Sequence, residues 1–184
     1  GSAALTTVLN FYLGRNLGER QVMEGLLHYG ESERIVQRRA FSMLDMKRLV
    51  TALGYPSGGF RATIDDLIDL DHPAIVPIQH AGFKHFVVLR TIRDGRVYLA
   101  DPAVGNISFT LAQFEESWDD NVLFIVFPGS DKPLDYLELK EEDLRFVDDQ
   151  TLTLLALQKL PEFHESTERR IRNMLERQKN NPDG

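Results

Sequence analysis

The sequence predicts an α+β fold in which helices come first and an antiparallel sheet follows. Residues 1–54 carry apolar side chains at the spacing of amphipathic helices. Residues 74–127 instead contain short runs of β-branched and aromatic residues, which are typical of strands. Asp94-Gly95, between two of these runs, is a strong signal for a two-residue hairpin turn. Helices followed by antiparallel strands are the pattern of an α+β domain.

Three helices are expected in the first part of the chain, and each ends at a glycine. Ser42 begins the third of them, because its hydroxyl and the Asp45 carboxylate are spaced as in a capping box. Residues 31–39 are charged and lead into this helix. The apolar stripes run from Leu5 to Tyr12, from Val22 to Leu27 and from Met46 to Leu53, and the glycines are Gly14, Gly30 and Gly54.

The strands are separated by short turns and by two further helices. Thr63 with Asp66 begins a short helix through Leu70, and Thr110 caps another at residues 111–118. The final strand is entirely apolar, which predicts an interior position in the sheet. The expected strands are a short segment after Gly58-Gly59 and then Ala74–Gln79, Phe86–Thr91, Val97–Leu99, Ile107–Thr110 and Val122–Phe127.

The central hairpin brings a histidine and an aspartate together. His85 comes at the start of its first strand and Asp101 at the end of its second strand. These two ends lie side by side in an antiparallel hairpin, so we expect a hydrogen bond of about 2.6–3.2 Å between the two side chains. A carboxylate that holds an imidazole fixes its tautomer and leaves the other ring nitrogen free to take a proton. The pair is the candidate catalytic site, and a surface histidine beside a turn aspartate is the alternative.

Three short motifs carry a resemblance to a known family. They are Gly-x-Ala-Ala-Leu at residues 1–5, His-Phe-Val-Val-Leu at residues 85–89 and Asp-Pro-x-x-Gly at residues 101–105. Over residues 1–127 the chain resembles the bacteriocin-processing, or double-glycine, peptidase domain, which is a papain-like cysteine peptidase family. The resemblance implies a papain-like fold, with His85 as general base and Asp101 as its orienting acid. It also implies an extended peptide substrate that is cut after Gly-Gly or other small residues.

The chain departs from that family at the nucleophile. In the family the catalytic cysteine directly precedes the glycine that matches Gly1, and a glutamine a few residues earlier supplies the oxyanion hole. The 184 residues contain no cysteine. We expect the cysteine to be encoded just before Gly1 and the 184-residue chain to be inactive; a pseudo-peptidase that has lost the cysteine, or a cloning remnant at Gly1-Ser2, are the alternatives. Ser2 is disfavoured as a substitute because it falls two positions beyond the expected nucleophile.

Composition argues against several classes of function. A net charge of −7 and an isoelectric point near 5.2 argue against a nucleic-acid partner, which would need a basic face. No apolar run is long enough to cross a bilayer, and no signal peptide is visible. No cofactor is expected. A metal site built from His72, His80 and His85 is disfavoured, because no cysteine and no close histidine pair supports zinc.

The composition changes after Pro128-Gly129-Ser130, which predicts a peptidase domain at residues 1–130 and an extension at residues 131–184. The extension is first acidic and then helical, with a charged helix expected from Phe163 to Lys179. Because its apolar face is too narrow to be stable alone in water, we expect this helix to pack on the domain, on a second copy in a homo-oligomer, or on a partner. The segment before the helix should bury Leu152, Leu155 and Leu160.

An extension of this kind favours a stand-alone peptidase over a domain fused to an exporter. The chain resembles the peptidases encoded in functional-amyloid (Fap) secretion operons of Gram-negative bacteria, which implies a periplasmic location and an exported amyloid subunit as substrate. Two functions stay open: a cysteine endopeptidase acting on a secreted peptide or protein, and a non-catalytic module that holds an export substrate. Retention of both His85 and Asp101 favours the enzyme, because a binding module has no chemical need for either.

Overall fold

A computed structural model describes residues 1–144 and 149–180, in which helices precede a six-stranded antiparallel sheet, as the sequence predicts. The helices before the sheet are α1 (Ser2–Phe11), α2 (Glu19–Tyr29), α3 (Ser32–Arg38) and α4 (Met43–Ala52). The strands are β1 (Ser57–Arg61), β2 (Ala74–His80), β3 (Phe83–Arg93), β4 (Arg96–Asp101), β5 (Gly105–Thr110) and β6 (Val122–Val126). Between strands lie α5 (Ile64–Ile68) and α6 (Leu111–Ser117), and after the sheet come a 3₁₀ helix (Glu141–Leu144) and the long helix α7 (Asp149–Asn180).

The carboxylate of Asp45 joins α3 to the start of α4. It accepts hydrogen bonds from the Ser42 N–H at 2.8 Å, the Arg38 guanidinium at 2.9 Å and the Glu31 N–H at 3.1 Å. The Asp45 N–H in turn donates to Ser42 Oγ at 3.2 Å, so the predicted capping box at the start of α4 is present. The same carboxylate fixes α3, which the charged sequence does not predict because Ile35 is its one buried residue.

The strand order is β1-β6-β2-β3-β4-β5, and neighbouring strands are antiparallel. The apolar strand β6 lies between β1 and β2, which is the interior position predicted for it. In the β3–β4 turn, Asp94 and Gly95 have φ angles of 52° and 74°, as a tight hairpin requires. A β-bulge interrupts the ladder between Leu89 and Thr91, so that Arg90 is an extra residue on β3.

The sheet separates two apolar clusters, because neighbouring residues of a strand face opposite sides. The helix-side cluster contains residues of α1, α2 and α4, and the far-side cluster lies on the other face. The helix-side cluster includes Leu5, Leu9, Leu26, Met46, Val88 and Phe124. The far-side cluster includes Val76, Ile78, Val87, Leu89, Leu99 and Phe114. Burial of both faces fixes the register of the central strands.

Arg90 attaches the chain that follows the sheet to β3. Its guanidinium donates to both carboxylate oxygens of Asp143 at 2.8 Å and to the Leu137 carbonyl at 2.9 Å. The hydrogen bonds from Arg90 hold the pKa of Asp143 below its ordinary value. Both side chains are almost completely buried, and removing either one would leave an unpaired buried charge. Residues 137–143 are therefore held against the sheet.

Helix α7 extends from one apolar cluster to the other. Leu152 near its start belongs to the far-side cluster, and Ile171 near its end belongs to the helix-side cluster. The helix continues through Pro161, although the sequence predicts a helix only after this proline. A proline inside a helix removes one backbone hydrogen bond. Burial of Leu152, Ala156 and Leu160 at helical spacing offsets that loss. Leu155, which was also predicted to be buried, is only half-buried, because it lies one position before this stripe.

The outer side of α7 faces solvent. Leu154 and Leu157 are about half exposed there, and self-association through this helix stays a prediction. The division of the chain after residue 130 also stays a prediction, and residues 145–148 and 181–184 of the predicted extension lie outside the described residues. Within the described ranges, no helix combines the length and the hydropathy needed to cross a bilayer.

Replacing Leu160 by alanine should lower the free energy of unfolding by about 2–5 kcal/mol, because it leaves a cavity where a fully packed side chain was. Leu160 is 1% exposed, whereas Leu157 on the same helix is 50% exposed. Leu157→Ala is therefore the matched control, and it should cost less than about 1 kcal/mol. Urea denaturation followed by circular dichroism measures both variants. Equal midpoints would show that α7 does not pack on the domain in this way.

Candidate active site

His85 and Asp101 meet where β3 begins and β4 ends. His85 Nε2 lies 2.6 Å from Asp101 Oδ2, which is within the predicted hydrogen-bond distance. Each side chain is only 3% exposed. The carboxylate is thus buried with the imidazole as its partner, which is the arrangement that a buried acid requires.

The β-bulge determines whether these two side chains share a face of the sheet. Next to the hairpin turn, Thr91 pairs with Tyr98. If this register continued without interruption, Asp101 would lie opposite Val88. Beyond the bulge Val88 pairs instead with Ala100, so that Asp101 comes level with Val87. Opposite residues in an antiparallel pair point to the same face, and so do residues two apart in one strand. The extra residue therefore brings Asp101 to the face of His85.

The turn after β4 orients the Asp101 carboxylate. Its Oδ1 accepts hydrogen bonds from the Ala103 N–H at 2.7 Å and the Val104 N–H at 3.3 Å, which leaves Oδ2 for the imidazole. Pro102 suits the intervening position because it has no N–H to satisfy. Gly105 has a φ of 96°, a left-handed conformation that favours glycine. The Asp-Pro-x-x-Gly motif therefore has a geometric role, which is to hold the carboxylate.

The second ring nitrogen of His85 is available for proton transfer. When Nε2–H donates to Asp101, the neutral ring carries its lone pair on Nδ1. Nδ1 is buried and has no hydrogen-bond partner among the residues that the structure describes. An imidazole that is held on one side and unpaired on the other is what a general base needs.

The start of α1 lies beside the same histidine. Gly1 and His85 both line a cavity of about 400 Å³. Gly1 packs closely, since a β-carbon there would come within 2.8 Å of the Met46 side chain. In the 184-residue chain, where Gly1 has a free amine, burial lowers the pKa of that amine to about 5. A helix N-terminus next to an imidazole is also a place where a thiolate is stabilised, by the helix dipole and by the protonated ring.

Ser2, the possible substitute nucleophile, has a structural role. Its Oγ donates to a Glu19 carboxylate oxygen at 3.0 Å, and the residue is buried. The other oxygen of Glu19 accepts from Arg170 of α7 at 2.7 Å. Ser2 is therefore part of a bridge between α1, α2 and α7.

Two residues of α7 that the sequence did not single out line the cavity. Phe163 and His164 line it together with Gly1 and His85. The ring centroids of His85 and His164 are 6.3 Å apart. Burial, together with the nearby His85, lowers the pKa of His164. The signal that could have found this residue is its spacing, because His164 follows the buried Leu160 by one helical turn.

The other two histidines considered as metal ligands lie among aromatic residues. His72 Nδ1 is 2.7 Å from the Tyr12 hydroxyl, and the His80 ring packs against Phe109 with 5.4 Å between centroids. In the described part of the chain, no three acidic or histidine side chains are grouped as metal ligands would be.

Comparison with known families gives a match over most of the chain. The family model for the peptidase C39 family matches residues 1–130. The chain belongs to the peptidase C39 family. His85 and Asp101, with the motifs that contain them, lie inside the matched part of this C39 chain.

Two curated relatives of the C39 chain are named for functional amyloid. It is 39% identical over 132 residues to the probable functional amyloid protease FapD of Pseudomonas aeruginosa, and 33% identical over 132 residues to that of Pseudomonas fluorescens. Each match covers 72% of this chain and 58% of the relative. The C39 chain thus spans a little more than half the length of these relatives.

Solved structures with a similar fold are peptidase domains. A double glycine motif protease from an AMS/PCAT transporter, solved in complex with the leader peptide, has a TM-score of 0.56 and 24% identity, covering 68% of this chain and 81% of its own. The peptidase domain of Streptococcus ComA has a TM-score of 0.52 and 16% identity, covering 70% of this chain and 88% of its own. The C39 chain therefore has the α+β papain-like fold that was predicted, and the resemblance to double-glycine peptidases is confirmed.

The stability of the 184-residue chain should fall as the pH is lowered from 8.0 to about 5. The Gly1 amine has a pKa of about 5 when folded and 8.0 when free, so the unfolded chain binds more protons in this range. His164 acts in the same direction, because its pKa is also lowered. Acetylation of the amine removes the first contribution. The stability difference between the acetylated and free chains should therefore grow by up to about 4 kcal/mol across this range, measured by urea denaturation. Parallel pH profiles would contradict the burial of the amine.

Proposed function

We propose that the full-length protein is a cysteine endopeptidase in which His85 is the general base and Asp101 orients it. The observation that carries this proposal is the 2.6 Å hydrogen bond between them, with His85 Nδ1 left unpaired among the described residues. Membership of the C39 family supports it. The thiol is proposed to come from a cysteine encoded directly before Gly1, because Gly1 lines the cavity beside His85 and the 184 residues contain no cysteine.

In this mechanism His85 accepts one proton and then donates it in each half of the reaction. Nδ1 takes the proton of the thiol, and Asp101 stabilises the imidazolium. The thiolate attacks the scissile carbonyl carbon, and the imidazolium returns the proton to the leaving amine as the C–N bond breaks, which leaves a thioester. Nδ1 then takes a proton from water, whose hydroxide attacks the thioester. The departing thiolate regains the proton, and the acid product is released.

The proposed substrate is an exported protein of the amyloid type, and the proposed location is the periplasm. Similarity to two proteins named probable functional amyloid proteases supports the substrate class. The family resemblance implies cleavage after Gly-Gly or another small-residue site. A cavity of about 400 Å³ beside the base leaves room for part of a peptide next to His85.

In the protein that includes the residues before Gly1, His85→Ala should reduce cleavage of a Gly-Gly peptide to background, because the thiol loses its base. Asp101→Asn should lower kcat by about a hundredfold or more, because the amide favours the wrong tautomer of the ring. Mass spectrometry of the products measures both effects.

His28→Ala is the matched control for these variants, since His28 is exposed on α2 and should not change the rate. The 184-residue chain should be inactive in the same assay, because it has no thiol. Cleavage by His85→Ala at the original rate would overturn the mechanism. A residue other than cysteine before Gly1, together with peptide binding and no cleavage, would favour the non-catalytic module that holds an export substrate.

A further inference from the structure

One stripe of α7 makes the contacts with the rest of the chain. Leu152, Ala156, Leu160 and Ile171 lie on this stripe and are buried. His164 lies on the same stripe, one helical turn after Leu160. An apolar residue would continue the pattern, whereas His164 is half-buried, and a ring nitrogen that is buried costs free energy unless it is paired. The histidine is therefore a departure from the packing pattern of its own helix.

His164 lies where α7 passes the candidate active site. It lines the same cavity as His85, and the two rings are nearly perpendicular, with 6.3 Å between their centroids. Phe83 and Phe163 flank its ring, with centroids at 5.6 Å and 6.2 Å. Its Nε2 is buried and makes no hydrogen bond to any residue in the described ranges. Each of the two imidazoles therefore has a buried nitrogen that is unpaired among residues 1–144 and 149–180.

Helix α7 is held firmly next to this region. Leu160 and Ile171, on either side of His164 along the helix, are buried. Arg170 donates to one oxygen of Glu19 at 2.7 Å, and α1 donates to the other oxygen through the Ser2 hydroxyl at 3.0 Å. One carboxylate thus ties α7 to the start of α1. The cavity therefore has α7 as one of its walls.

We propose that α7 completes the substrate cleft and that His164 binds the peptide backbone beside the scissile bond. This inference rests on the proposed peptidase function and adds a residue to it. An extended peptide presents N–H and C=O groups, and a neutral imidazole can pair with either, because one ring nitrogen donates and the other accepts. Burial and the nearby His85 favour the neutral form by lowering the pKa of His164. A bound peptide would satisfy this nitrogen, which has no partner among the described residues of the free protein.

Peptide binding by the 184-residue chain tests this role without turnover, because the chain has no thiol. The probe is a fluorescein-labelled peptide with a central Gly-Gly pair, and fluorescence anisotropy near neutral pH gives its Kd. His164→Phe keeps a flat ring without nitrogens, so it should raise Kd about tenfold and leave Tm unchanged or higher. His164→Gln keeps a donor and an acceptor, so its Kd should stay within about threefold of the original. Glu165→Gln, at an exposed neighbouring position, is the matched control and should bind normally.

Three results would overturn the proposal: no binding by the unchanged chain, an unchanged Kd for His164→Phe, or weaker binding with a lowered Tm in both His164 variants, which would indicate a structural role.

Cleavage by the longer, thiol-bearing protein separates this inference from the peptidase itself. There His164→Phe should raise KM about tenfold with little change in kcat. Cleavage with an unchanged KM rejects the role of His164 and leaves the peptidase standing. Binding that depends on His164, with no cleavage by the thiol-bearing protein, rejects the peptidase and leaves the role of His164 standing.

Discussion

The extra residue in β3 is the constraint on which the candidate site depends. Side chains in an antiparallel hairpin alternate strictly between two faces, so a regular ladder from the Asp94-Gly95 turn would point Asp101 away from His85. The bulge at Arg90 shifts this alternation by one residue and makes the 2.6 Å hydrogen bond possible. The guanidinium of the bulged residue also forms a buried ion pair with Asp143. One irregularity therefore aligns the site and attaches the chain that leads to α7.

The two imidazoles of the cavity differ in the charged groups that lie next to them. The His85 ring is hydrogen-bonded to a carboxylate, so a positive charge formed there during proton transfer is compensated at short range. His164 has no such carboxylate contact among the described residues, and a charge on His85 opposes a second charge on it. One ring is thus suited to carry a proton and the other to stay neutral. A site with both properties can move a proton and bind an uncharged backbone within the same cavity.

Most elements of the fold follow from signals a few residues long, such as the cap at Ser42 and the hairpin turn. Helix α3 does not, because the single buried Ile35 gives no periodicity to detect. The pairing of His85 with Asp101 follows from the hairpin and the family motifs, yet the hairpin alone sets them on opposite faces, since no local pattern reveals the bulge. His164 is harder still to predict. Its surroundings depend on where α7 packs, and that is decided by contacts far away in the sequence.

The bridge between α1, α2 and α7 also bears on how the chain acquires its structure during synthesis. Arg170 reaches Glu19 across 151 positions of sequence, so the last helix closes onto the first part of the molecule. A ribosome releases the N-terminal helices and the sheet well before α7. Until then the helix-side cluster lacks Ile171, the far-side cluster lacks Leu152, and the cleft beside His85 is open along one side. The part of the chain before α7 therefore emerges from the ribosome before the side chains that complete both apolar clusters.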